Sequence, residues 1–371
     1  MTEARPHTFV IAEAGVNHNG DINRARAMVD VAADAGADAI KFQSFKSEEL
    51  VTSRAPKAAY QICNTENDGS QAAMLKALEL SDADHKNLFD AAAAADIEFL
   101  STPFDNTSLD LLVGTLNVRR LKIASGELTN APLVLTMAQA GKPIILSTGM
   151  ATLTEVREAL GVLAFGFVTP AEDQSSVPNA AAFTAAFKSD AGKAALAAKV
   201  TLLHCTSDYP AAPETINLQA VETLRDEFGL PVGLSDHSQG IAVATAAAAR
   251  GASVIEKHFT LDKTLPGPDH AASLEPQGLH DMIAAIRTVE AALGSGEKVP
   301  VAEERETAAV ARKSLVATAP IAQGEFFTDK NLGTRRPGDG IAPIHYWDIL
   351  GTLSDHAYDV DDLIVWESTS E

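Results

Sequence analysis

Eight short apolar segments, each followed by a helical pattern, constrain the fold of this chain more than any other feature. They are runs of Val, Ile, Leu and Ala rather than clean alternations, which is typical of strands buried on both faces. Eight strand–helix units predict a TIM (β/α)8 barrel, and a doubly wound open sheet is the alternative. The segments are Thr8–Gly15, Ala39–Gln43, Ile97–Phe104, Leu121–Gly126, Pro143–Gly149, Val200–Thr206, Pro231–His237 and Val254–Thr260.

Every predicted strand becomes polar at its carboxyl end. In a barrel all eight of these ends meet at one mouth, whereas in an open sheet only the ends at the switch point meet. The pattern therefore favours the barrel and predicts an active site at its mouth. The polar residues are Glu13, Lys41, Thr102, Lys122, Ser125, Ser147, Thr206, Ser235, His237, Glu256 and His258.

Two of the strands end in histidines, His237 and His258. Glu256 lies two residues before His258, so both side chains point to the same face of their strand. Paired histidines with carboxylates nearby predict a site for a divalent metal with nitrogen and oxygen ligands. The alternative is that both histidines only form hydrogen bonds to loops.

Two lysines, Lys41 and Lys122, are predicted on neighbouring inner strands. A lysine inside a barrel is costly unless it meets an anion. Together with the nearby hydroxyl groups, they predict a pocket for a phosphate and a carboxylate. A structural ion pair with Glu13, Glu127 or Glu256 is the alternative.

Two further carboxylates are candidates for the site. Glu13, at the end of the first strand, is either a general acid/base or a lysine partner. Asp269 follows the eighth strand in the loop Pro266–Asp269 and is either a holder of a substrate hydroxyl or an ordinary turn residue.

Charge and composition exclude several classes of function. A net charge of −21 and a pI of about 4.8 argue against nucleic acid or an anionic membrane surface as a partner. Two cysteines imply no disulfide framework. No apolar run approaches the ~20 residues of a membrane span, and no signal-peptide core is present. We therefore expect a soluble cytoplasmic protein.

The chain is predicted to have two domains, a barrel over 1–294 and a small, mostly β domain over 313–371. Residues 295–312 are rich in Gly, Glu and Pro without an apolar period, which predicts a linker. Residues 166–199 are predicted to form an excursion that carries one more helix.

Taken together, these motifs resemble the sialic acid synthase family, and the C-terminal part resembles the antifreeze-like (SAF) domain of the same enzymes. The resemblance covers nearly the whole chain in order, and the set is far more specific than any single motif. The motifs are Glu13–Gly20, Lys41–Gln43, Ser101–Phe104, Lys122–Glu127, Ser147–Met150, His204–Pro210, Gly233–His237, Glu256–Thr260, Pro266–Asp269, Gly324–Glu325 and Arg335–Ile341.

The resemblance implies a metal-dependent condensation of phosphoenolpyruvate with an N-acetylated mannosamine-type sugar. We expect N-acetylmannosamine and N-acetylneuraminate first, and the sugar of N,N′-diacetyllegionaminate as the alternative. Phosphate would leave by C–O cleavage, and the enzyme would be a domain-swapped homodimer. The loop Pro56–Gln71 is expected to border the sugar.

The resemblance also implies roles for individual residues. His237 and His258 would hold Mn²⁺ or Mg²⁺, with Glu256 assisting directly or through a water, and Glu13 would move the proton of the attacking water or of the aldehyde oxygen. The sugar would be held by Tyr209, Asp269 and Arg336. Ser207 stands where some N-acetylneuraminate synthases carry Asn, and it is included among the residues predicted to hold phosphoenolpyruvate: Lys41, Thr102, Lys122, Ser125, Ser147, Ser207 and Ser235.

Three other functions remain alternatives. A Schiff-base aldolase would use Lys122 or Lys41 and no metal. A synthase for a 6-phosphorylated sugar would need further basic residues, and the loops offer little beyond Lys57. A non-catalytic SAF-type binding protein would not need intact polar strand ends.

Overall fold

A computed structural model describes residues 7–52, 55–57, 62, 70–170 and 176–365. Eight parallel strands form one sheet in the order β3-β2-β1-β8-β7-β6-β5-β4. The end strands β3 and β4 lie in contact, so the sheet is nearly closed into a barrel and the barrel prediction is confirmed. The strands are β1 (Phe9–Gly15), β2 (Ala39–Ser44), β3 (Glu98–Pro103), β4 (Leu121–Ile123), β5 (Ile144–Ser147), β6 (Val200–Cys205), β7 (Val232–Asp236) and β8 (Val254–His258).

Helices follow the strands and cover the outside of the barrel. Several of them begin at side-chain caps: Ser81 caps one helix, and Thr152 with Glu155 forms a capping box at another. The α-helices of this part are α1 (Ile22–Asp34), α2 (Ser47–Leu50), α3 (Gln71–Leu78), α4 (Asp82–Ala94), α5 (Asn106–Asp110), α6 (Ala131–Gln139), α7 (Leu153–Val168), α8 (Ala180–Lys188), α9 (Asp190–Lys199), α10 (Pro213–Ile216), α11 (Gln219–Phe228), α12 (Ala242–Ala249) and α13 (Pro276–Leu293).

The barrel interior has an apolar lower layer and a polar upper layer. The lower layer contains Ile11, Ala39, Leu100, Ile145, Leu203 and Val254, all buried. The larger core lies between the strands and the surrounding helices. Because side chains alternate along a strand, the residues that follow the apolar layer on the inner face are the polar strand ends.

Two details of the barrel differ from the prediction. Lys41 and Lys122 are not on neighbouring strands, because β3 lies between β2 and β4 in chain order and contacts both. The excursion after α7 carries two helices, α8 and α9, instead of one. Ser189 ends the first and caps the second, which divides one Ala-rich stretch into two elements.

Residues 295–371 form a second compact unit. It contains α14 (Ala302–Ala311), an antiparallel pair of β9 (Ser314–Ala317) and β10 (Leu332–Arg335), and the short helix α15 (Tyr346–Ile349). A separate apolar cluster around Leu315, Ile321 and Tyr358 forms its core. The helix α14 lies within the segment predicted as a linker, and none of its residues is buried, so the segment lacks the apolar period that would have predicted it.

None of the helices in the described part of the chain combines the length and the apolar character that a bilayer crossing requires.

Candidate active site

Strand register brings three predicted site residues side by side at the barrel mouth. Glu13 on β1 is paired with Lys41 on β2 and with His258 on β8. Ser235 on β7 is paired with Glu256 on β8. Residues that are far apart in sequence therefore share one level of the barrel because their strands are aligned at the same height.

A cavity of about 540 Å³ opens at this level. Its walls contain every barrel residue for which a catalytic, metal-binding or substrate-binding role was predicted: Glu13, Lys41, Thr102, Lys122, Ser125, Ser147, Ser207, Tyr209, Ser235, His237, Glu256, His258 and Asp269. Arg336 belongs to the second unit, where it is exposed next to a cis Arg336–Pro337 peptide bond, and its role stays a prediction.

Lys41 is buried among carboxylates and a hydroxyl. Its Nζ lies 2.8 Å from Glu13 Oε2 and 3.6 Å from Glu256 Oε2, and it donates to Thr102 Oγ1 at 3.2 Å. Burial opposes the charge of Lys41, but the two carboxylates outweigh burial and raise its pKa. Lys41 is therefore a fixed ammonium within the cavity.

Lys122 reaches the same region from β4. Its Nζ donates to Ser147 Oγ at 2.7 Å and lies 3.7 Å from Glu256 Oε1. Here burial outweighs the carboxylate and lowers the pKa of Lys122. The positive charge of Lys122 is only partly balanced by Glu256, so we expect a bound anion to stabilise it.

The two glutamates of the cavity have opposite electrostatics. Burial raises the pKa of Glu13 to about 8, against the opposing effect of Lys41. Burial acts on Glu256 as well, but Lys122 and Lys41 outweigh it and lower its pKa to about 2. Ser235 Oγ also donates to Glu256 Oε1 at 2.8 Å. Carboxyls with divergent pKa values are typical of sites in which one holds a proton and the other a charge.

The loop after β5 approaches the strand ends closely at Gly149. A Cβ atom there would lie 2.5 Å from Cys205 Sγ and Ser207 Oγ and 2.8 Å from Ser125 Oγ, so only glycine fits without displacement. The Gly149 amide donates to Ser125 Oγ at 3.0 Å. This part of the cavity therefore concentrates small hydroxyl groups and a thiol next to Lys122.

The histidines His237 and His258 lie with their ring centroids 5.4 Å apart. His237 Nδ1 lies 2.7 Å from the carbonyl oxygen of Thr206, so Nδ1 carries the hydrogen and Nε2, 3.3 Å from Ser235 Oγ, has its lone pair on the acceptor side. His258 Nδ1 is buried without a hydrogen-bond partner among the described residues. Burial lowers the pKa of His237 to about 4 and that of His258 well below its usual range, which keeps both rings neutral.

These two neutral imidazoles fit a divalent metal. Histidine binds metals in its neutral form, and a carbonyl that fixes the tautomer is a usual outer partner of a ligating ring. Within the described ranges, no group of three or more His, Cys, Asp or Glu side chains forms a complete metal site. The chain itself thus offers two ring nitrogens, which leaves other positions for water or substrate oxygen.

Tyr209 and Asp269 complete the predicted set. The Tyr209 ring packs on His237 with centroids 4.1 Å apart and meets His258 edge-on at 5.6 Å. Asp269 is buried in the cavity wall, and burial raises its pKa to about 6 against the effect of Lys41. Of the loop 56–71, most lies outside the described residues, although Gln71 lines the cavity.

One side of the cavity was not predicted from the sequence. Val16, Leu50, Met74, Leu75, Leu78 and Phe104 line it, and we call these six residues the apolar wall. The four residues Gln71, Met74, Leu75 and Leu78 follow helical i, i+3, i+4, i+7 spacing, so one face of α3 points to the cavity. That spacing predicts a covered helical face, but not that the face meets a cavity instead of the core.

A model of the NeuB family matches residues 28–298. The N,N′-diacetyllegionaminic acid synthase of Campylobacter jejuni is 46% identical over 96% of this chain and 98% of its own. The protein of the same name from Legionella pneumophila is 44% identical over 97% and 94%. The solved N-acetylneuraminic acid synthetase of Leptospira borgpetersenii is 33% identical, covers 83% of this chain and 93% of its own, and gives a TM-score of 0.63.

Proposed function

Because the chain belongs to the NeuB family, we propose that it is a transferase that condenses phosphoenolpyruvate with 2,4-diacetamido-2,4,6-trideoxymannose and water. The products are N,N′-diacetyllegionaminate and phosphate. The sequence prediction placed N-acetylmannosamine first. The two relatives named as N,N′-diacetyllegionaminic acid synthases, at 46% and 44% identity, reverse that order.

One observation carries the proposal. Two buried lysines, Lys41 and Lys122, share a cavity with the acid Glu13 and the neutral pair His237 and His258. This combination supplies an anion pocket, a proton donor and ligands for a metal at the carboxyl ends of barrel strands.

The reaction balances without a further reactant. Carbon 3 of phosphoenolpyruvate forms a bond to the aldehyde carbon of the open-chain sugar, and water adds to carbon 2. The bond between carbon 2 and the phosphate oxygen then breaks, so phosphate leaves and a 2-keto acid remains. In this scheme the phosphate and carboxylate are held by Lys41, Thr102, Lys122, Ser125, Ser147, Ser207 and Ser235.

Glu13 moves the protons. With a pKa of about 8 its carboxyl is mostly protonated near neutral pH, so it donates to the aldehyde oxygen as the C–C bond forms. The resulting carboxylate then accepts a proton from the attacking water and is restored. Lys41, 2.8 Å away, stabilises the carboxylate between these two steps.

His237 and His258 are the residues that would hold Mn²⁺ or Mg²⁺, and such an ion, when bound, supplies a Lewis acid for a carbonyl oxygen. Tyr209 packs against His237 and so limits the movement of that ring. Glu256, 2.8 Å from Ser235 Oγ, stays ionised and adds negative charge on the side of the pocket where the histidines lie.

N-acetylmannosamine is the second candidate sugar. It is favoured by the 33% identity to the Leptospira borgpetersenii N-acetylneuraminic acid synthetase. The two sugars share the 2-acetamido group and the aldehyde, and they differ at carbons 4 and 6.

Two wider expectations remain part of the proposal. We expect a homodimer in which Arg336 of one copy contacts the sugar bound to the other. We also place the reaction in the cytoplasm, where phosphoenolpyruvate is produced. A monomer in light scattering that retains full activity would contradict the first expectation.

Phosphate release tests the proposal directly. The EDTA-stripped protein is incubated with phosphoenolpyruvate and each sugar, with and without added Mn²⁺. We expect release that depends on Mn²⁺ and is fastest with the 2,4-diacetamido sugar. Absence of release with either sugar overturns the proposal. Trapping of a pyruvate adduct on Lys122 by borohydride would support the Schiff-base aldolase instead.

A further inference from the structure

The cavity is divided by polarity. The side formed by β4 to β8 carries Lys122, the small hydroxyls and the two histidines. Glu13, Lys41 and Thr102 extend the polar set to the ends of β1 to β3. The apolar wall is formed by α2, α3 and the residues that directly follow β1 and β3. A substrate whose anionic partner and aldehyde occupy the polar strand ends can place its remaining carbons towards the apolar wall.

The apolar wall is held in place by contacts at the carboxyl end of α3. Gly20, at φ +75°, lies so close to α3 that a Cβ atom would be 2.5 Å from the Ala77 carbonyl oxygen. The Ser47 amide donates to Glu79 Oε2 at 3.1 Å directly after α3. Phe45 is buried behind Phe104, with ring centroids 6.3 Å apart. The wall therefore has a fixed backing against which a ligand group can pack.

The chemistry of the wall selects what it can bind. Its six side chains carry no N–H, O–H or carbonyl group, so a sugar hydroxyl placed there loses its hydrogen bonds to water without replacement. An acetamido group brings an N–H and a C=O that need partners as well. A methyl group at carbon 6 has no such need and buries apolar area.

We infer that the apolar wall, which includes Met74 and Leu75 of α3, is the subsite for the carbon-6 methyl group of a 6-deoxy sugar and determines the preference over the 6-hydroxy sugar. The inference rests on the proposed function and adds to it the residues that read carbon 6. A pocket of this kind discriminates against one added hydroxyl by roughly 10- to 100-fold.

The test compares two sugars that differ only at carbon 6: 2,4-diacetamido-2,4,6-trideoxymannose and its 6-hydroxy counterpart. Phosphate release gives kcat/KM for each. We expect the wild-type protein to prefer the 6-deoxy sugar by about 10-fold or more. Met74→Gln, which keeps the length of the side chain, should reduce that ratio at least about fivefold while KM for phosphoenolpyruvate stays the same.

Ala73→Gln is the matched control, because Ala73 is the neighbouring residue on the exposed face of α3. It should leave the ratio unchanged. Leu75→Asn provides a second change in the wall if Met74→Gln folds poorly, and it should lower the ratio in the same direction.

The outcomes separate the inference from the proposed function. Equal kcat/KM values for the two sugars in the wild-type protein overturn the subsite and leave the condensation standing. A variant that slows both sugars equally also overturns it, because the wall then acts only in packing. No release with any sugar removes the proposed function together with the subsite.

Discussion

The inner and outer faces of β7 and β8 show two ways of burying charge. On the outer face, Lys257 Nζ lies 2.8 Å from Asp236 Oδ2 and also donates to the Ser238 carbonyl. The other oxygen, Asp236 Oδ1, accepts from the Ser238 amide at 2.9 Å and from its hydroxyl at 2.6 Å. On the inner face, Glu256 Oε2 and His258 Nδ1 have no hydrogen-bond partner within the described part of the chain.

The two faces of the same strands therefore have different roles: alternate positions along β7 and β8 serve either the architecture or the function of the protein. The outer pair is self-sufficient, so its role is to hold the turn after β7 against β8. The inner groups are incompletely paired, and a buried polar group without a partner is costly. We interpret the inner face as a surface whose remaining interactions are made with ligands.

The first prediction removes an inner charge. Lys122→Met should lower kcat/KM for phosphoenolpyruvate by about 10³-fold, because a donor to the substrate is lost. The free energy of unfolding should fall by less than the 3–5 kcal/mol typical of breaking a buried ion pair, because Lys122 Nζ is 3.7 Å from Glu256 Oε1 and Lys41 still faces that glutamate. Phosphate-release kinetics and urea unfolding measure the two effects. Lys86→Met, on an exposed position of α4, should change neither. A loss of about 3–5 kcal/mol in Lys122→Met would place this lysine with the architecture.

The second prediction removes an outer charge. Lys257→Met leaves the buried Asp236 side chain without its ion-pair partner, which should lower the free energy of unfolding by about 3–5 kcal/mol. Lys263→Met, on the exposed loop that follows, should stay within about 0.5 kcal/mol of the wild-type protein. Urea denaturation compares them. Equal stability of the two variants would contradict the contrast between the faces.

The sequence predicted the barrel and the inner polar set for one physical reason. Strands buried on both faces must be apolar, so a Lys, Glu or His at the end of such a strand is easily recognised. The alternation of side chains along the strand then assigns that residue to the inner or the outer face. Glu13, Lys41 and His258 were located in this way and meet through register.

The features that the sequence did not predict depend on tertiary packing, which no local sequence pattern indicates. The i, i+4 spacing of Met74 and Leu78 fits a core-facing helix as well as a cavity-facing one. The separation of Lys41 from Lys122 by β3 was misjudged, although both lysines still reach Glu256 because long side chains span the barrel interior. The helix α14 has no buried residue and therefore left no apolar period in the sequence.

The third prediction adds the metal ion that we propose for the inner face. Mn²⁺ at about 100 times its dissociation constant should stabilise the EDTA-stripped protein by about 2.7 kcal/mol. His258→Gln should lose most of this gain, whereas His280→Gln, exposed on α13, should keep it. Thermal unfolding with and without the ion measures both. A full gain in His258→Gln would show that the ion binds elsewhere.

The fourth prediction uses the pKa of Glu13. Burial raises this pKa from 4.5 to about 8, so between these values the folded protein binds more protons than the unfolded chain. Stability that depends on Glu13 is therefore greatest at low pH and falls as pH rises through this window. Glu13→Gln does not titrate, so its stability relative to the wild-type protein should rise by about 2 kcal/mol between pH 6 and pH 8. Urea unfolding of the metal-free proteins measures this difference, with Glu48→Gln, exposed on α2, as the control that should show none.

Parallel pH curves for Glu13→Gln and the wild-type protein would mean that Lys41 holds Glu13 ionised throughout. Glu13 would then belong with the fully paired charges of the outer face, and the proton donated to the aldehyde would have to come from another group.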